Sequence, residues 1–194
     1  HNSGPAGKFP AGPLSACRRF LLVLCFLVCY DILVKVSAFG GTDLERENVL
    51  IPQADLDRQR EFEEKIRGLF AAREAHPAAC VDTFGCQQNV ADGQKLMGML
   101  EASGFTLTQD PKEADLVLLN TCAIREHAED RVFGNLGALT HTKKENPEQV
   151  ICLCGCMAQE PRVSERIKKS YPHVDLVFGP QALWKFPELL WQVY

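Results

Sequence analysis

Leu116-Val117-Leu118-Leu119 is an unbroken apolar run that passes into Asn120-Thr121-Cys122, and a helix-like stretch follows from Ile124. A short continuous apolar run is what a strand buried on both faces requires, which points to a parallel sheet covered by helices. The same layout occurs on either side of it. Thr83-Phe84 leads into Gly85-Cys86-Gln87, and Val150-Ile151-Cys152-Leu153-Cys154 leads into Gly155-Cys156. Cys86, Cys122 and Cys156 are spaced by 36 and 34 residues, about the length of a βαβ unit. In a parallel sheet all such turns fall on one edge, beyond the carboxyl ends of the strands, where ligands usually bind. The spacing therefore predicts that three thiolates remote in sequence meet in space, as a soft-metal or iron–sulfur site.

Strands and helices alternate around this stretch. Ala79–Phe84, Phe105–Thr108, Leu116–Leu119, Gln149–Cys154 and Leu176–Phe178 read as strands. Val90–Ser103, stopped by Gly104, Ile124–Lys144, Glu160–Ser170 and Ala182–Trp191 read as helices. The fold expected is α/β, an open parallel sheet with helices on both faces, over residues 79–194. Ahead of it, residues 40–54 read as a linker and Asp55 to about Glu74 as an amphipathic helix. Phe62, Ile66, Leu69 and Phe70 share one face of that helix. Residues 44–78 thus form a linker and helix before the domain proper.

The first 43 residues read differently. Residues 1–13 are rich in Gly, Pro and Ala, and Arg18-Arg19 precedes an uncharged run from Phe20 to Tyr30. With Val36-Ser37-Ala38 this mimics a signal peptide and its cleavage site, but Asp31 and Lys35 leave the run too short for a membrane span. The reading preferred is a segment foreign to the domain, without a membrane role, against the alternative of a secreted or anchored protein built on residues 14–39.

Composition excludes several classes. Hydrophobic content of 46% and charge of 24% suit a chain with a real core. Residues 78–194 carry 11 Lys/Arg against 15 Asp/Glu, so no basic nucleic-acid surface dominates. Nine cysteines are an odd number, which favours a reduced, cytoplasmic protein over a disulfide scaffold. Cys152 and Cys154, inside a strand, read as small buried apolar residues.

A thiolate at the start of a helix gains from the helix dipole and from unpaired backbone N–H groups. Gly85 and Gly155 let backbone approach a bulky ligand. Three cysteines are one short of the usual four, which leaves one iron of a 4Fe-4S cluster open. Zinc is the rival metal, with His127 as a fourth ligand on spacing alone. Asn89, Asn120 and Thr121 at the same edge are candidates for binding substrate or cluster, against the plainer reading that they cap helices. Arg125 is the best candidate for a phosphate or base contact.

Read in order, Thr83-Phe84-Gly85-Cys86-Gln87-Gln88-Asn89, Asn120-Thr121-Cys122-Ala123-Ile124-Arg125-Glu126, Val132-Phe133-Gly134-Asn135-Leu136-Gly137, Gly155-Cys156-Met157-Ala158-Gln159 and Asp175-Leu176-Val177-Phe178-Gly179-Pro180 closely resemble the N-terminal domain of methylthiotransferases. The resemblance covers about residues 79–190, and the form around Cys122 looks like the MiaB-type branch. It implies a radical S-adenosylmethionine enzyme with two 4Fe-4S clusters, in which Cys86, Cys122 and Cys156 hold the auxiliary one. The implied reaction transfers a methylthio group to C2 of N6-isopentenyladenosine next to the anticodon in tRNA. Other branches, acting on a ribosomal protein or on threonylcarbamoyladenosine, are the alternative within the family. A stand-alone iron–sulfur or zinc-binding module is the alternative outside it.

The Cys-x-x-x-Cys-x-x-Cys run of the family's radical domain does not occur in the chain, nor does its RNA-binding domain. The expectation is a monomeric first domain that depends on a radical domain for activity and is inactive alone.

Overall fold

The computed structural model describes residues 51–122 and 128–194. Five strands form one sheet: β1 (Ala78–Phe84), β2 (Thr106–Thr108), β3 (Leu116–Thr121), β4 (Val150–Gly155) and β5 (Leu176–Phe178), in the order β2-β1-β3-β4-β5. Every pairing is parallel, as the apolar runs predict. The chain goes outward from β1 to β2, then returns past β1 and proceeds the other way from β3. The order therefore reverses between β1 and β3, the place where open α/β sheets bind ligands.

Alternation along the strands feeds two cores. Leu116, Leu118, Val150, Cys152 and Cys154 face one side, where they meet α1 (Gln53–Ala72), α2 (Gln87–Ala102) and α5 (Phe186–Val193) through Ile66, Phe70, Leu96, Leu100, Phe186, Leu189 and Leu190. Val117, Leu119, Ile151 and Leu153 face the other, against Val132, Phe133, Leu136 and Leu139 of α3 (Ala128–Glu145) and Val163 and Ile167 of α4 (Pro161–Ser170). Helices thus lie on both faces, as expected.

The helix set ahead of the domain by its sequence belongs to the same core. Ile66 is fully buried and Phe70 packs edge-on against Phe105 and Tyr194. Gln59 of α1 is buried against the first turn of α5, where its Oε1 accepts the Glu188 N–H at 3.1 Å and its Nε2 donates to Glu188 Oε2 at 3.3 Å.

Element boundaries move for local reasons. The α2 helix starts at Gln87, not Val90, with Cys86 as its extended N-cap residue. The β3 strand continues through Asn120 and Thr121, because both pair with β1 and β4. The last helix divides into a 3-10 segment, Pro180–Lys185, and α5, since Pro187 lacks an N–H and fits only a first turn. Of the long helix predicted from Ile124, residues 124–127 lie outside the described residues.

At the amino edge of the sheet Gln149 is fully buried. Its Nε2 donates to the carbonyls of Pro111 and Ala114 at 2.8 and 2.7 Å, and its Oε1 accepts from Thr142 Oγ1 at 2.7 Å. This amide anchors the β2–β3 connection, at the end of the sheet remote from the cysteine turns.

Candidate metal centre

The strand register fixes where the three cysteines lie. Phe84 pairs with Thr121, and Thr121 with Gly155, so β1, β3 and β4 end level. Cys122 and Cys156 are one residue beyond that level and Cys86 two. Neighbouring strands are about 4.8 Å apart, so the turns bearing Cys86 and Cys156 flank the one bearing Cys122. Strand order alone brings together residues that are 70 positions apart in sequence at the extremes.

Two glycines allow the turns to close. A Cβ on Gly85 would lie 2.7 Å from the Asn89 side chain and 2.9 Å from Cys122 Cβ, so the turn before Cys86 abuts Cys122 directly. Gly155 has φ +100 and ψ −177, a conformation essentially restricted to glycine. A Cβ there would run into the Thr121 carbonyl, with the Thr121 N at 2.7 Å. That tight fit turns the chain at the end of β4 into the 3-10 segment Cys156–Gln159. Cys156 Sγ then lies 3.6 Å from the Thr121 carbonyl oxygen. Cys122 is buried, whereas Cys86 and Cys156 are half-buried.

Asn89, Asn120 and Thr121 lie where expected, and all three are buried. Their polar groups turn to the protein. Asn89 Nδ2 donates to Asn120 Oδ1 at 3.0 Å and to the Thr121 carbonyl at 3.1 Å. Asn120 Nδ2 donates to the Asn89 carbonyl at 2.7 Å, and Thr121 Oγ1 to the Cys154 carbonyl at 3.0 Å. Arg125 and His127 lie outside the described residues.

The remaining described cysteines behave as core. Cys80, Cys152 and Cys154 are buried in β1 and β4. Burial, reinforced by the Asp82 and Asp110 carboxylates, pushes the Cys80 thiol up to about 11. Burial also pushes the Cys152 and Cys154 thiols well above the usual range. A thiol held protonated is a poor metal ligand, because the thiolate is the binding form. Cys17, Cys25 and Cys29 lie outside the described residues.

One contact at this edge had no signal in the sequence beyond motif resemblance. Gln159 fills the space beside Gly179, where a Cβ would lie 2.6 Å from its Nε2. The turn after β5 is thereby locked to the segment that begins at Cys156.

Among the described residues no three His, Cys, Asp or Glu side chains converge tightly enough to hold a single metal ion. A zinc ion needs all its ligands at about 2.0–2.3 Å from one point. The grouping of the three cysteines is at the level of their turns. Three sulfur donors around a glycine-lined edge, with one buried and two half-exposed, fit a cluster open on one side. Among the described residues no helix is long and apolar enough to cross a membrane.

Known proteins resemble this chain over about three quarters of its length. The chain is 45% identical over 151 residues to a tRNA-2-methylthio-N(6)-dimethylallyladenosine synthase of Acetivibrio thermocellus, covering 76% of this chain and 32% of that protein. Synthases of the same name from Clostridioides difficile and Caldicellulosiruptor saccharolyticus are each 43% identical over 150 residues, covering 75% of this chain and 31% and 32% of theirs. The chain therefore spans about a third of the length of the curated relatives it matches. Residues 78–179, which take in all five strands and all three cysteine turns, match the model described as "Uncharacterized protein family UPF0004". On that match the chain belongs to this family, the N-terminal domain of the MiaB-type methylthiotransferases.

Proposed function

We propose that this domain holds the auxiliary 4Fe-4S cluster of a tRNA methylthiotransferase through Cys86, Cys122 and Cys156. The observation that carries the reading is the level ending of β1, β3 and β4, which sets three cysteine turns side by side at the switch point of the sheet. When bound by three thiolates, such a cluster supplies one iron without a protein ligand, where a further sulfur can be held for transfer. The chain's own contribution is placement and exclusion. Buried Cys122 anchors the inner side, while half-buried Cys86 and Cys156 leave the outer side accessible. The strand ends beneath are closed by Asn120 and Thr121, both buried and hydrogen-bonded within the protein.

The relatives' names and the motif form around Cys122 support one substrate class. It is N6-isopentenyladenosine in tRNA, modified at C2, with Arg125, three residues after Cys122 in the sequence, as the candidate for a phosphate or base contact. A second 4Fe-4S cluster and S-adenosyl-L-methionine, needed to activate an unreactive C2–H, belong to a radical domain of the longer enzyme. The setting is cytoplasmic, where thiols stay reduced.

Two measurements test this. Anaerobic reconstitution of the chain should give about four iron and four sulfide per chain, and Cys86→Ala, Cys122→Ala and Cys156→Ala should each abolish stable binding. One zinc and no iron would favour the metal-module alternative. For the reaction, residues 78–190 can replace the matching segment of the Acetivibrio thermocellus synthase. The chimera should restore 2-methylthio-N6-isopentenyladenosine in tRNA, read by nucleoside mass spectrometry. A cluster-loaded chimera that leaves this base unmodified would refute the substrate assignment.

A further inference from the structure

Asn89 lies in the first turn of α2, three residues after Cys86, and is 5% exposed. Its side chain bonds to each of the turns that end β1, β3 and β4, or to a group that turn shares. Its Oδ1 accepts from the Cys86 thiol at 3.2 Å. Its two amide hydrogens go to Asn120 Oδ1 and to the carbonyl of Thr121, the residue before Cys122. That same carbonyl is the oxygen 3.6 Å from Cys156 Sγ. Asn120 answers with its own amide to the Asn89 carbonyl at 2.7 Å. Gly85 leaves the room in which the Asn89 amide sits, since a Cβ there would be 2.7 Å from its Cγ and Oδ1.

All the hydrogen-bonding capacity of the Asn89 amide nitrogen is thus spent inside the protein, which leaves no donor for a substrate. A buried amide satisfied in this way is rigid, and every partner it has belongs to a cysteine turn or to the strand end before one. We infer that Asn89 is a positioning residue: it clasps the Cys86, Cys122 and Cys156 turns at a fixed spacing before any cluster binds. The inference rests on the cluster reading for its purpose but not for its geometry. Ligand shells built on turns need such support, because a turn at a strand end is otherwise free to swing.

The test compares wild type, Asn89→Ala, Asn89→Asp and Gln149→Ala. Asn89→Asp keeps the shape and the acceptor facing Cys86, but in place of the two donor bonds it sets a negatively charged acceptor oxygen against Asn120 Oδ1 and the Thr121 carbonyl. Gln149→Ala removes a buried, fully bonded amide at the opposite edge and controls for stability alone. After anaerobic reconstitution, both Asn89 variants should bind iron at least tenfold more weakly than wild type. Any cluster they retain should show an altered electron paramagnetic resonance spectrum on reduction. Gln149→Ala should lower the melting temperature yet keep wild-type iron and spectrum. Wild-type occupancy and spectrum in both Asn89 variants, or equal iron loss in Gln149→Ala, would overturn the inference.

Alkylation of Cys86 in the metal-free chain separates this result from the cluster reading. It should be several-fold faster in Asn89→Ala than in wild type or Gln149→Ala. If wild type takes up no iron, that rate difference alone upholds the clasp while the cluster reading falls, and equal rates refute the clasp. Should Asn89→Ala fail to fold, Asn120→Ala, which removes one acceptor and the return bond, should show the same changes at smaller size.

Discussion

Replacing Gly155 with alanine should be far more damaging than the loss of one hydrogen suggests. The residue has φ +100 and ψ −177, a region that costs a residue with a side chain about 1–3 kcal/mol. The new methyl also has no room. It would sit against the Thr121 carbonyl, with Thr121 N at 2.7 Å and Asn120 Oδ1 at 2.9 Å. These are backbone and buried side-chain atoms that cannot swing away, so overpacking adds about 1–3 kcal/mol. The sum is about 2–6 kcal/mol out of the 5–15 typical of a domain. At roughly 3–4 °C per kcal/mol for a domain of this size, the melting temperature should fall by about 6–24 °C. Differential scanning calorimetry of the metal-free chain measures this. Gly98→Ala is the control: it lies in α2 with nothing within 4 Å of an added Cβ, and it should melt about 2–4 °C higher. If Gly155→Ala melts within about 2 °C of wild type, the strained turn described here does not exist.

Ile66→Ala tests whether α1 belongs to the domain core. Ile66 is fully buried, so the urea midpoint should fall by the equivalent of about 2–5 kcal/mol, and an unchanged midpoint would mean α1 is only an appendage. Cys154→Ala should keep the wild-type iron content on reconstitution, since Cys154 faces the core with Leu118 and Phe178; loss of iron would make it a ligand. Cys80 gives a pH signature. Its folded thiol is raised from 9.0 to about 11, so between those values the unfolded chain has lost a proton that the folded chain keeps. Stability should therefore fall as pH rises from 9 to 11, by at most about 1.4 kcal/mol per unit from this group. Denaturant midpoints at pH 8, 9 and 10 should decline less steeply for Cys80→Ala, and identical slopes would refute the assignment.

The sequence by itself determined the fold class and the three cysteine turns. Continuous apolar runs such as Leu116–Leu119 have one stable home, a strand covered on both faces. A strand–Cys–helix layout repeated at βαβ spacing must then place its cysteines on one edge. Tertiary structure decided what pattern cannot carry. The helix Gln53–Ala72 has the same periodicity whether it is an appendage or a core element; only its contacts with Phe105, Glu188 and Tyr194 make it core. Asn89, Asn120 and Thr121 are polar residues at a ligand edge and read from sequence as contacts to substrate or cluster, or as helix caps. Their actual partners are one another and the cysteine turns, a choice set by strand register. Register depends on which strands are neighbours, and a one-dimensional spacing does not encode that. Gln159 against Gly179 is the same case: two residues from separate turns meet because β4 and β5 are adjacent in space.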